Sequence, residues 1–118
     1  GGYYEKAAEL LTQLVEKDLE TPKERAEYYF RAGKVFQRTH QGDKALASFE
    51  KAIQLSAKEG WYFAPSASLQ IGYYYQEKGQ RQQAKAYFEK AISYKKHEYK
   101  NSVDSKARAA LTEMGFDS

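Results

Sequence analysis

The chain of 118 residues contains no cysteine, so it can form no disulfide, no thiolate zinc site and no thiol nucleophile. It also has no apolar run near the roughly 18 residues that a membrane-spanning helix requires. Its 19 basic and 16 acidic residues leave a net charge of +3, which is too small for the electrostatic footprint of a nucleic-acid binder. We therefore predict no nucleic-acid partner and no transmembrane segment.

Catalytic and metal-binding signatures are equally scarce. His40 and His97 are the only two histidines, and both are expected near helix ends. The sequence contains no HExxH, no GxSxG and no glycine-rich phosphate loop. Acidic pairs such as Glu5 with Glu9 have the spacing of a solvated helix face. We therefore predict no catalytic residue, no metal site and no cofactor, and a protein that is not an enzyme.

The sequence does contain an internal repeat. The segment FEKAI at 49–53 recurs unchanged at 88–92, a displacement of 39 positions. The same register aligns Gly33 with Gly72. Repetition at this period is typical of units that bury their apolar faces on their neighbours, so it predicts a stacked fold whose function lies on the shared surface.

Hydrophobic periodicity indicates that the repeated unit is helical. Tyr29 and Ala32 belong to an apolar stripe with spacings of three and four residues, whereas strands would require a period of two. Thr21, followed by Pro22 and Glu24, has the pattern of a helix start. Glycines are expected where helices stop or turn, at Gly42, Gly60, Gly79 and Gly115. We predict an all-α fold with six helices, at about 3–19, 22–40, 43–59, 65–78, 81–97 and 102–114.

Both copies also follow a known signature of aromatic, Leu-Gly, Tyr, Ala and Phe positions. The first copy has Tyr29, Ala32, Gly33, Phe36, Ala45 and Phe49, and the second has Ser68, Ile71, Gly72, Tyr75, Ala84 and Phe88. In this the chain resembles the tetratricopeptide repeat family, which implies an α-solenoid of antiparallel helix pairs. The second copy departs from the signature because Ser68 replaces a large residue, and neither copy has the closing Pro. The period of 39 also exceeds the usual value of about 34, and the added residues must lie between Ile53 and Gly72.

The resemblance predicts one domain with about two and a half repeats and a C-terminal capping helix. We expect the half repeat at 1–20, repeat one at 22–60, repeat two at 61–98 and the capping helix at 101–115, with Asn101 or Ser102 as its N-cap. The stretch 61–115 is in addition similar to the C-terminal repeats of an outer-membrane-associated tetratricopeptide family.

The start of the chain predicts a fragment of a longer protein. Residues 4–8 echo the repeated segment, so the first helix is expected to be the second half of a repeat whose first half is missing. The chain begins with two glycines instead of Met, as after proteolysis or at an expression scar. Localisation is therefore left open, and the unmatched face of the half repeat predicts self-association.

The resemblance also implies where a partner would bind. In tetratricopeptide proteins the first helix of each pair lines the concave face, and four positions around its glycine face the ligand. In this sequence those positions are Glu27, Phe30, Lys34 and Gln37 in the first copy, and Ser66, Leu69, Tyr73 and Gln76 in the second. Chaperone-binding members place Lys and Asn at two of these positions to hold a terminal carboxylate, whereas this chain has Phe30 and Leu69, then Lys34 and Tyr73. The set therefore predicts an amphipathic peptide or a folded protein as partner, although each residue is also compatible with ordinary solvated surface.

Two further features each leave two interpretations open. One or two of the adjacent aromatics Trp61, Tyr62 and Phe63 can pack between the repeats, or Trp61 can be an exposed anchor for the partner. The basic cluster of Lys95, Lys96, His97 and Lys100 can stabilise the negative end of a helix, or it can face an acidic partner or a lipid surface.

The predicted function is a protein-interaction scaffold that binds a protein or peptide on its concave face. One alternative is a structural C-terminal cap of a longer solenoid, without a binding site of its own. Another is a membrane-adjacent adaptor that acts through the basic cluster.

Overall fold

The computed structural model describes residues 21–56, 59–95 and 97–116, which form five helices and no strand. The helices are α1 (Pro22–Arg38), α2 (Gly42–Ser56), α3 (Phe63–Glu77), α4 (Arg81–Ser93) and α5 (Lys100–Glu113). The all-α fold class is confirmed. The helix predicted at 3–19, together with the half repeat at 1–20, lies outside the described residues.

The start of α1 follows the predicted capping pattern. The Thr21 side chain accepts a hydrogen bond from the Glu24 amide at 3.1 Å and donates one to Glu24 Oε1 at 2.9 Å. Pro22 occupies the first helical position, where its missing N–H costs nothing. The local sequence therefore determines where this helix begins.

The turns between α1 and α2 and between α3 and α4 have the same construction. His40 and Gly79, one repeat apart, both adopt the left-handed conformation, with φ of 59° and 75°. In each turn the amide of the next residue donates to the carbonyl five residues earlier over 2.9 Å, which closes the helix end. Gly42, predicted to lie where a helix stops or turns, follows this turn as the first residue of α2, and the left-handed residue is His40.

Consecutive helices pack against one another from α1 to α5. Within each pair, a glycine of the first helix lies under a phenylalanine of the second. A Cβ atom added to Gly33 would approach the Phe49 ring to 2.6 Å, and one added to Gly72 would approach the Phe88 ring to 2.5 Å. Both rings are buried, so the repeated glycines and phenylalanines form the packing core within each pair.

At the corner between α4 and α5, α4 ends four residues before the predicted position, and the predicted N-cap of α5 is wrong. The fourth helix of the structure ends at Ser93 and the fifth begins at Lys100, so neither Asn101 nor Ser102 is the N-cap. Tyr99 occupies that position with φ of 62° and makes no side-chain capping hydrogen bond. The face of α5 that packs inward carries its buried residues, Val103, Ala107, Ala110 and Leu111.

The Lys100 side chain holds this corner together. Its ammonium donates to the Tyr94 carbonyl at 2.7 Å, just beyond the end of α4, and to Asp104 Oδ2 at 2.8 Å. A cation therefore does face the C-terminal carbonyls of α4, as one interpretation of the basic cluster predicted, but it comes from the first turn of the following helix.

Candidate functional site

A cleft lies between the two helix pairs. It is lined by the C-terminal part of α1, the turn and first residues of α2, and the C-terminal half of α3, and its volume is about 800 Å³. Its apolar lining includes the partly exposed Leu46, beneath which lie the core residues Phe49 and Ile71, both almost fully buried. A concave site of this size, with an apolar part and several convergent polar groups, has the character of a ligand-binding site.

Two glutamines join the walls of this cleft. Gln37 of α1 donates a hydrogen bond from Nε2 to Oε1 of Gln70 of α3 over 3.0 Å. Both side chains line the cleft and are only partly buried. The contact spans the two repeats, and it leaves part of each amide available for other hydrogen bonds.

Two tyrosines of α3 form the facing wall. The Tyr73 ring packs edge-on against Phe88, with centroids 5.3 Å apart, and burial raises the pKa of its hydroxyl, with a smaller contribution from the Glu113 carboxylate. The Tyr74 hydroxyl donates to Asp43 Oδ1 over 2.9 Å, and this hydrogen bond is the main reason that the pKa of Tyr74 is raised. Both hydroxyls therefore stay protonated at neutral pH and act as neutral polar groups.

The charges lining the cleft are of both signs. The acidic residues Asp43 and Glu77 are matched by the basic residues Lys44 and Lys78. Lys78 lies over the Tyr74 ring at 5.0 Å, and Asp43 already accepts the Tyr74 hydroxyl, so these groups are partly used within the protein. The cleft thus has no strong preference for a ligand of one charge.

The structure places two of the predicted partner-binding residues, Gln37 and Tyr73, in the cleft. Ser66 and Gln76 are partly buried elsewhere on α3. On α1, the Glu27 carboxylate lies 3.5 Å from the Arg31 guanidinium, and the exposed Lys34 ammonium lies 5.5 Å from the centroid of the Phe30 ring. The predicted set therefore does not converge on one place.

Two other predicted residues are buried in the core. Phe30 is 7% exposed and Leu69 is 3% exposed, which leaves little of either side chain for a partner to touch. Phe30 packs edge-on against Tyr62, with centroids 5.8 Å apart, so the residues inserted between the repeats cover it. Leu69 lies in a core cluster with residues of α5 such as Val103. The concave positions that the resemblance implied are thus partly filled by the chain itself.

The three adjacent aromatic residues at the start of α3, Trp61, Tyr62 and Phe63, differ in how deeply they are buried. Phe63 is fully buried, whereas Trp61 and Tyr62 are partly buried against the same cluster. Tyr62 also meets Tyr99 edge-on, with centroids 5.4 Å apart, and Tyr99 is 66% exposed. The interpretation that one or two of these aromatics pack between the repeats is confirmed by Phe63. The Trp61 side chain is partly accessible, and its role as an anchor for a partner remains a prediction.

Gln70 and Tyr74 are cleft residues that the sequence reasoning missed. They fall outside the concave positions taken from the resemblance. With Glu77 they form a polar series at spacings of four and three along α3, a helix that is otherwise largely buried. That series is the signal by which the sequence could have indicated a polar wall on this helix.

The basic cluster offers fewer available charges than its sequence suggests. Lys95 is exposed, but the Lys100 ammonium is bound to three oxygen atoms within the corner, and Lys96 lies outside the described residues. In the part of the chain that the structure describes, no helix is both long and apolar enough to cross a membrane. The same residues hold no group of three or more acidic or histidine side chains arranged to bind a metal ion.

Comparison with known protein families agrees with this architecture. Residues 26–59 and residues 65–98 each match the family model of the tetratricopeptide repeat. The matched stretches coincide with the helix pairs α1–α2 and α3–α4. Searches of curated proteins and of solved structures gave no match.

Proposed function

The chain belongs to the tetratricopeptide repeat family, and from this premise we propose that it is a non-catalytic scaffold that binds a peptide segment of a protein partner in the cleft between its two repeats. Repeats of this family generally mediate protein–protein interaction. The cleft, part of the concave face in this proposal, contains Gln37 and Tyr73, two of the residues at the family's ligand-facing positions.

The observation that carries the proposal is the cleft itself. Its volume of about 800 Å³ and its combination of aromatic, amide and apolar lining suit a chain segment with polar backbone and apolar side chains. Phe30 and Leu69 are buried, whereas Leu46, Tyr73 and Tyr74 of the cleft are partly exposed, so the cleft offers apolar and aromatic surface that those two positions do not.

A matched pair of substitutions tests the location. Peptides are first selected on the chain from a random display library, and their affinities are measured by titration. Gln37→Lys places a bulky cation in the cleft, whereas Gln83→Lys makes the same chemical change at an exposed position of α4. We expect the first variant to weaken binding by about tenfold or more, and the second to leave it within about twofold.

Circular dichroism must show equal helicity for both variants, so that lost binding does not reflect lost structure. Amide chemical shifts of the wild-type chain provide an independent map of where the selected peptide binds. Equal affinities in the two variants, or shift changes confined to α2 and α4 away from the cleft, would refute this binding site.

The structure of α5 favours a second candidate function, that of a terminal cap. The buried face of this helix packs on α4, whereas its other face exposes mostly polar residues, among them Ser105, Lys106 and Arg108. Beyond α5, Phe116 lies between Arg81 and Lys85, at 5.0 and 4.9 Å from its ring centroid. A polar outer face is what the last helix of a solenoid requires. Failure of the chain to select any peptide would favour this function.

A further inference from the structure

Outside the cleft, two tyrosines form an aromatic corner on the surface. The Tyr62 and Tyr99 rings meet edge-on, with centroids 5.4 Å apart and planes at 87°. Because the planes are nearly perpendicular, the faces of the two rings bound a notch, which we call the tyrosine notch. Tyr99 is 66% exposed and Tyr62 is partly exposed, so a partner can reach this notch. Neither residue lines the cleft.

The rest of the protein holds the tyrosine notch in place. The Tyr62 ring packs on two buried rings, Phe30 with centroids 5.8 Å apart and Phe63 with centroids 4.5 Å apart. Tyr99 has a φ of 62°, which is uncommon for a residue with a side chain, and the neighbouring Lys100 is bound within the corner between α4 and α5. The two rings are thus arranged before any partner binds, which lowers the entropy lost on binding.

The charges beside the tyrosine notch favour a cation. Burial is the main cause that raises the pKa of Tyr62, and the Glu27 and Glu98 carboxylates raise this pKa further, while Arg31 lowers it. The Glu27 carboxylate lies 3.5 Å from the Arg31 guanidinium, so these two charges compensate each other. Glu98 is exposed and forms no ion pair with any residue that the structure describes. One uncompensated carboxylate therefore lies beside the two aromatic faces.

The same row of rings already attracts a cation of the protein itself. The Lys34 ammonium lies 5.5 Å from the centroid of the Phe30 ring, which is the neighbour of Tyr62 in the row. Among the described lysines and arginines, none lies over the Tyr62 or Tyr99 ring. The exposed end of the row therefore leaves its faces to a cation from another molecule.

We propose that the tyrosine notch binds an arginine side chain from a basic segment of a partner protein, with the guanidinium on the Tyr99 ring and its N–H groups donating to the Glu98 carboxylate. Arginine fits better than lysine, because a planar guanidinium stacks on a ring and donates to a carboxylate through two N–H groups at once. The chain as a whole carries a net charge of +3, so a basic segment has no general attraction to it and recognition depends on this local site. The inference is independent of the peptide binding proposed for the cleft.

The probe is a short blocked peptide of alternating glycine and arginine, titrated into the isotope-labelled full chain and followed by NMR. The control peptide has citrulline in place of each arginine, which keeps the shape of the side chain and removes its charge. We expect the arginine peptide to shift the amide signals of Glu98 and Tyr99 and the ring signals of Tyr62 in a saturable way. The citrulline peptide should bind at least about fivefold more weakly.

Two variants separate the aromatic and the ionic contribution. Tyr99→Leu keeps apolar bulk but removes the aromatic face, and Glu98→Gln removes the carboxylate charge. We expect each to weaken binding of the arginine peptide by about three- to fivefold. Tyr87→Leu and Glu89→Gln make the same changes on α4, away from the notch, and should leave the affinity within about 1.5-fold. Circular dichroism must show equal helicity for all four variants.

Several outcomes would overturn the inference. These are no saturable binding of the arginine peptide, equal affinities for the arginine and citrulline peptides, or wild-type affinity in Tyr99→Leu. Shift changes at Gln37 and Tyr73 in place of Glu98 and Tyr99 would also refute it, since they would put the basic segment in the cleft. The proposed function has its own test with display-selected peptides and Gln37→Lys, so either proposal can fail while the other stands.

Discussion

The two helix pairs share one packing contact but cover their first helices differently. In both pairs a glycine lies under a buried phenylalanine, Gly33 under Phe49 and Gly72 under Phe88. The pairs differ at the equivalent positions Phe30 and Leu69. Phe30 is covered by the inserted segment that precedes α3, whereas Leu69 packs in a cluster with α5. A repeat thus determines its own internal packing, while the exposure of its concave positions depends on whatever element follows it.

The pairs also differ by an exchange of side-chain size. Tyr29 near the middle of α1 corresponds to Ser68 in α3, and Leu55 near the end of α2 corresponds to Tyr94 just after α4. Ser68 is fully buried and its hydroxyl donates to the Ala64 carbonyl over 2.8 Å. The second pair thus has a smaller residue in its first helix and a larger one after its second helix than the first pair has.

The largest effect should come from truncating the shared phenylalanines. Phe49→Ala and Phe88→Ala each remove a fully buried ring next to a glycine, so each should lower the free energy of unfolding by about 3 to 5 kcal/mol. Urea denaturation of the two variants checks this. Similar losses would support equivalent packing in the two pairs, whereas a loss below about 1 kcal/mol in either would show that its core can rearrange.

Substitutions at the two turns should change the free energy of unfolding by a smaller amount, with opposite sign in the two pairs. His40 and Gly79 both have positive φ, a conformation that costs a residue with a side chain about 1 to 2 kcal/mol. His40→Gly should therefore raise the free energy of unfolding by up to about 1 kcal/mol, after the added flexibility of the unfolded chain is subtracted. Gly79→Ala should lower it, although a Cβ there meets no atom within 4 Å. Thermal unfolding measures both changes, and the same sign for both would contradict the equivalence of the turns.

The smallest predicted effect is a loss of stability at alkaline pH that comes from two tyrosines of the second pair, Tyr87 and Tyr94. Burial is the main cause that raises the pKa of Tyr87, with added repulsion from Glu50, and burial also raises the pKa of Tyr94. The folded chain then keeps these protons to higher pH than the unfolded chain, so this stabilisation is complete below the ordinary value of 10.0 and is lost as pH rises through the folded pKa.

Stability should accordingly fall between about pH 9 and pH 11, and it should fall less in Tyr87→Phe and Tyr94→Phe than in the wild-type chain. The matched positions in the first pair are Ser48 and Leu55, which do not titrate in this range. Urea denaturation at the two pH values gives the comparison. An unchanged alkaline loss in both variants would show that other groups, such as lysines, dominate it.

The cleft belongs to neither pair alone, which limited how far it could be predicted. Gln37 and Tyr73 were identified because they occupy ligand-facing positions of the repeat signature. Gln70 was not, since its position lies on the face that meets the preceding repeat, and its role depends on the 3.0 Å contact with Gln37. A pattern that describes one repeat at a time cannot show which side chains from two repeats will meet.

The sequence by itself determined the helical class, the repeat and its register, and the Gly–Phe contacts within each pair. These depend on the spacing of apolar residues and on local turn and capping chemistry, which are properties of neighbouring positions along the chain. Only the tertiary structure decided that Phe30 and Leu69 are buried, that α5 begins at Lys100, and that two glutamines meet between the repeats. The burial of Phe30 and the meeting of the glutamines depend on contacts between residues far apart in sequence, the Tyr62 ring on Phe30 and the Gln37 amide on Gln70. The start of α5 depends on how the chain turns at the corner, where the Lys100 ammonium binds the Tyr94 carbonyl.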